Sequence, residues 1–168
     1  MIDAIVAALA EPDQPLATFR ALEEATRRAI GHRLFTIMRH DRAANFNTRV
    51  FSSRPAEYPA GGGKPVKDSA WTRPLLREGR PFIGHHADDI RATFADHALI
   101  LSLGCESVLN LPVLWRGEVI GTINLLDRAH AYAPHHAELG SRFAALAIPA
   151  LLPDLRTGAC RNAPPASE

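Results

Sequence analysis

Residues 106–127 contain two apolar runs of strand length, Glu106–Trp115 and Glu118–Asp127, separated by Arg116-Gly117. Two such runs joined by a two-residue turn ending in glycine are the strongest short-range signal for antiparallel pairing. Almost every position on both runs is apolar, so neither face of the ribbon can be left to water. The hairpin therefore requires a sheet covered on both sides, and the rest of the chain has to supply two covers.

Taken in order, Ile2 to Leu9 is a short helix interrupted by Pro12 and Pro15. A second helix follows, with Asp13 as cap, Pro15 in its first turn and Gly31 as its stop. Its stripe of Leu16, Phe19, Leu22, Ala25 or Thr26, Ala29 and Ile30 has helical spacing and provides one cover. Leu34–His40 and Thr48–Ser53 are expected strands. Ser52 to Pro65 holds three consecutive glycines and three prolines, which predicts a loop without regular structure. Ser69–Glu78 is expected to be helical with Ser69 as cap, and Phe82–His85 a short strand. Asp88–Leu103 reads as two short helices joined near Asp96, with Asp89 and Asp96 as caps. After the hairpin, His135 to Leu152 forms a single covering helix through Leu139, Phe143, Leu146, Ala147 and Ala150. One domain over residues 1–152 results, with helices in 2–30, sheet and loops in 34–127 and a helix in 135–152. The polar, proline-rich residues 153–168 are expected to form a disordered tail.

Composition excludes several classes. Nineteen Lys and Arg balance eighteen Asp and Glu for a net charge of +1, so no basic footprint for nucleic acid exists. The N-terminus lacks the basic region of a secretory signal, and no apolar run reaches membrane-spanning length, so a cytoplasmic location without a membrane partner is expected. Cys105 and Cys160 make neither a disulfide framework nor a metal cluster, and both are expected to be thiols. No ligand motif for a metal occurs, and no cofactor is expected.

The hairpin strings GCESVLNLPV and RGEVIGTINLLD, with Tyr132 before the last helix and a helix at each end, resemble the GAF domain family over roughly residues 14–152. The resemblance implies an α+β fold, GAF/PAS-like: a central antiparallel sheet of five to six strands, the terminal helices on one face, and a ligand pocket roofed by 52–103 on the other. It also implies a stand-alone bacterial sensory or signalling domain that forms a homodimer through its terminal helices. With no effector domain fused, its output would pass through a separate effector protein or be the binding itself. The signature of the cyclic-nucleotide branch is missing, and Ser69–Leu103 holds no cysteine for bilin attachment.

Candidate ligand contacts follow from chemistry. Ser53, Arg54, Tyr58 and Lys64 surround Gly61–Gly63, combining hydroxyls, a guanidinium and an ammonium suited to a small polar or anionic metabolite. Of His85 and His86, adjacent on a strand, one faces the pocket. A plain two-residue turn puts Leu109 opposite Asn124, so that Asn110 and Asn124 point to opposite faces and one of them meets the pocket. Binding is favoured over catalysis because no nucleophile and base share a face. An enzyme would use Cys105 or His86, in the manner of free-methionine sulfoxide reductases, although those use several cysteines and here Cys105 alone lies inside the domain. A dimerisation module with a vestigial pocket is the third reading.

Overall fold

The computed structural model describes residues 1–152; the tail expected at 153–168, with Cys160, lies outside them. Its elements are α1 (Ile2–Ala8), α2 (Leu16–Ala29), β1 (Leu34–Asp41), β2 (Phe46–Ser52), β3 (Gly63–Pro65), β4 (Phe82–Gly84), α3 (Ala87–Thr93), α4 (His97–Ser102), β5 (Ser107–Trp115), β6 (Glu118–Asp127), α5 (Pro134–Leu146) and α6 (Ile148–Leu151). The six strands form one antiparallel sheet in the order β3-β2-β1-β6-β5-β4. No described helix is long and apolar enough to cross a membrane.

Arg116 and Gly117 both have positive φ, 53° and 80°, which gives the turn the twist that paired strands need. The register then departs from a plain hairpin. Leu114 faces Val119, but Val113 faces Gly121, so Ile120 is an extra residue and β6 bulges there. Beyond the bulge every β6 side chain changes face. Asn110 consequently stands opposite Asn124 on the same face, correcting the expectation of opposite faces.

Phe35, Ile37, Leu109, Leu111, Val113, Ile123 and Leu125 point to one face, where Phe19, Leu22, Phe143, Ala144 and Leu151 cover them. Full burial of a leucine such as Leu111 is worth about 2 kcal/mol, and removing its branched end costs about 2–5 kcal/mol. Gly121 allows this fit: a Cβ there would strike the Met38 carbonyl oxygen and come within 2.8 Å of Leu151. On the other face, Leu34, Val108 and Leu126 pack with Ile90, Ile100 and Cys105 beneath α3 and α4.

Five local expectations are corrected. Asp13 does not cap α2. Its carboxylate takes Arg20 at 2.9 Å, and Gln14 bridges the helices by donating to Ala8 O and accepting from Thr18. Leu16, expected in the covering stripe, is exposed. The loop from Ser52 is not wholly irregular, because Gly63–Pro65 pairs with Phe46–Thr48 as an edge strand, where proline's missing donor costs nothing. The final helix is two pieces, since Pro149 cannot donate within a continuous helix but suits the first turn of α6. Residues 69–78 contribute one wide turn, Arg73–Arg77, in which Glu78 N donates to Arg73 O at 3.2 Å. Ser69 precedes this turn and accepts through Oγ from Thr72 N at 3.2 Å, the kind of bond a capping serine makes.

Candidate functional site

Three neighbouring strands put one polar side chain each in a row across the sheet. Asn110 on β5 donates through Nδ2 to Asn124 Oδ1 on β6 at 2.6 Å, and Asn124 Nδ2 donates to Thr36 Oγ1 on β1 at 3.1 Å. All three are buried. The register makes the row, because Thr36 faces Asn124 and Asn124 faces Asn110. Above it lies a cavity of about 50 Å³, with Trp71 just before the wide turn, Leu75 within it, Phe94 from the α3–α4 junction and Ile100 from α4 as its roof. That volume is room for a few waters.

The cavity wall toward the β2–β3 edge is charged. Arg49 on β2 lies over the Tyr58 ring, 3.7 Å from its centre, and donates from Nη1 to Pro59 O at 2.9 Å. Tyr58 donates its hydroxyl to Asp96 Oδ2 at 2.5 Å. Asp96 is 3.7 Å from Arg49 Nη2 and 3.6 Å from Lys64 Nζ, ion pairs too long for hydrogen bonds. Outside this wall an open groove of about 350 Å³ runs past Gly62, Gly63 and Ala95, sharing Met38, Arg49 and Lys64 with the inner cavity. Burial, with the Asp96 contact next, pushes the Tyr58 phenol far above its ordinary range. Burial alone would raise the Asp96 carboxyl too, but the Tyr58 hydrogen bond and the charge of Lys64 outweigh it and hold it below the usual aspartate value.

Among the described residues, three buried side-chain atoms lack a hydrogen-bond partner: Arg49 Nε, Asp96 Oδ1 and Asn110 Oδ1. All three belong to the cavity or its charged wall. A larger cleft of about 410 Å³ lies by the hairpin turn, but its carboxylates are already engaged, Glu118 by Arg42 at 2.7 Å and Asp68 by Arg73 at 2.8 Å.

Of the residues singled out in the sequence, Tyr58, Lys64, Asn110 and Asn124 line the cavity. The other four lie elsewhere. Ser53 extends the β1–β2 pairing, its hydroxyl accepting from Phe35 N at 2.9 Å. Arg54 pairs with Glu57 on the surface. The backbone N–H groups of His85 and His86 donate to the Asp89 carboxylate, which lowers that acid's pKa, and both rings turn toward His130. Asp96 precedes α4 without capping it, because its carboxylate serves Tyr58. Cys105 is fully buried among aliphatic side chains, and burial pushes its thiol up to about 11. Sequence reasoning missed Thr36, Arg49, Trp71 and Phe94. Arg49 left a trace, a charge within the otherwise strand-like Thr48–Phe51.

The family model described as GAF domain matches residues 15–151. Solved structures share the fold at low identity. The GAF domain of an Acinetobacter phosphoenolpyruvate-protein phosphotransferase is 11% identical with a TM-score of 0.69, covering 89% of each chain. A GAF domain/HD domain protein from Geobacter sulfurreducens is 12% identical at 0.66, covering 84% of this chain and 95% of that one. A far-red cyanobacteriochrome photoreceptor is 14% identical at 0.66, covering 88% and 92%. No curated protein matches the chain.

Proposed function

This chain belongs to the GAF domain family, and from that premise we propose that it is a sensory module binding a small polar or anionic metabolite between its sheet and the 52–103 roof. The observation carrying this reading is that the three unpartnered buried atoms, Arg49 Nε, Asp96 Oδ1 and Asn110 Oδ1, belong to residues lining the inner cavity or the groove that adjoins it at Arg49. Each buried polar atom without a partner costs about 1–3 kcal/mol, and a bound ligand offering complementary groups removes that cost. Tyr58, Lys64, Asn110 and Asn124, with Arg49 and Thr36, are the contacts we assign. The photoreceptor among the structural relatives supports a signalling role.

Turnover is the weaker reading, since Cys105 is fully buried in an apolar cluster and its thiol is held protonated. Association of two copies through the terminal helices is compatible with binding and is favoured by Ile2, Val6 and Leu16, which α1 and α2 leave exposed. Sedimentation of the Val6→Glu variant tests it; an unchanged mass removes this part of the reading.

The test of binding is a thermal-shift screen against a metabolite panel. A ligand at about a hundredfold over its Kd adds about 2.7 kcal/mol, a rise of roughly 5–10 °C for a domain of this size. The hit should vanish in Asn110→Leu with the fold intact. A flat screen on folded protein overturns the reading.

A further inference from the structure

The charged wall says more about the ligand than the cavity does. Arg49 and Lys64 bring two positive charges, and Asp96 answers with one negative charge. The Arg49 side chain is only 14% exposed, so water screens its charge weakly, whereas that of Lys64 is half-exposed. The wall is one negative charge short.

The guanidinium also shows where that charge belongs. Nη1 is occupied by Pro59 O, whereas Nε has no partner and Nη2 only the distant Asp96. Nε and Nη2 form the side edge of the guanidinium, an edge that grips a planar carboxylate through two parallel bonds. Lys64 approaches the other oxygen of Asp96, Oδ1, as a point charge, and both cations line the outer groove. Inward of this edge the roof is apolar at Leu75, Phe94 and Ile100, above the polar Thr36, Asn110 and Asn124.

Resting on the reading of this cavity as a ligand site, we propose that the ligand is a small organic monoanion. Its acid group is held by the Nε/Nη2 edge of Arg49 and by Lys64, and its apolar part lies beneath Phe94. A dianion brings a second charge against Asp96, and a neutral analogue leaves the excess positive charge unanswered.

The test is calorimetric titration of the full chain with straight-chain monocarboxylates from acetate to hexanoate, their neutral amides and the matching dicarboxylates. The expected result is binding of one or more monocarboxylates, with amides and dicarboxylates weaker by about tenfold or more. Arg49→Met should weaken the acid by about tenfold or more and leave the amide unchanged. Lys64→Met, at a half-exposed position, gives the same reading if the Arg49 variant does not fold. Asp96→Asn leaves two cations unanswered, so preference should move from the monocarboxylate to the dicarboxylate. Amides that bind as tightly as acids, or acids indifferent to both cation variants, overturn the monoanion while leaving the cavity reading intact. If no monocarboxylate binds but other metabolites do, the inference fails alone; if nothing binds, both fail.

Discussion

Asn110 and Asn124 face each other across β5 and β6, joined side chain to side chain by a 2.6 Å hydrogen bond inside the domain. The bond exists because of the bulge at Ile120, which turns Asn124 toward the cavity. Either asparagine alone would be an amide in an apolar setting. Together with Thr36 they form a chain in which one carbonyl, Asn110 Oδ1, is left over.

That coupling predicts strong non-additivity. Asn124→Leu strands Asn110 Nδ2 and should cost about 1–3 kcal/mol, while Asn110→Leu with Asn124→Leu together should cost less than the sum of the two singles. Urea denaturation of the four proteins measures it. A double variant equal to the sum would deny that the amides support each other.

Asp96 should shape the acid limb of stability. Its folded pKa lies below the unfolded one, so its contribution is complete above the ordinary aspartate pKa of about 3.9 and is lost as pH falls through the depressed folded value. The Asp96→Asn protein should be less stable than the parent near neutrality, and the gap should close on acidification. Melting curves from neutral to acidic pH would show this; a gap that stays constant refutes it.

Glycines at different places should behave differently. Gly121→Ala forces a methyl against the Met38 carbonyl and Leu151, and should cost about 1–3 kcal/mol. Gly62→Ala meets nothing within 4 Å and does not need positive φ, so it should stay within about 0.5 kcal/mol of the parent. Thermal melts of the two variants compare them directly.

Cys105 should be chemically silent in the folded protein. In a Cys160→Ser background, its reaction with a disulfide reagent near neutral pH should follow the rate of opening, because the thiol is buried and raised to about 11. Fast labelling of native protein would contradict the inert assignment and revive the enzymatic reading.

Much of the architecture was legible because it rests on local pattern. The glycine turn marked the hairpin, helical spacing marked α2 and α5, and the break near Asp96 separated α3 from α4. The face of Asn124 was not legible, for a physical reason. In Val119–Ile123 nearly every residue is apolar or glycine, so alternation has no phase and nothing marks Ile120 as the extra residue. The wall was half legible: Tyr58 and Lys64 stood out in a glycine-rich loop, but Arg49 and Asp96 meet only after β2 and α4 are brought together. Arg54 was the better-looking arginine by sequence, and a neighbouring glutamate, Glu57, claims it on the surface.

The two outermost strands, β3 and β4, are three residues long, and β3 ends in Pro65. A flat, long border strand would let a passing segment add itself to the sheet by backbone pairing, but β3 and β4 each end almost as soon as they begin. Recognition of this domain by another protein is thereby shifted from the backbone, which all chains share, to side chains, which distinguish one partner from another.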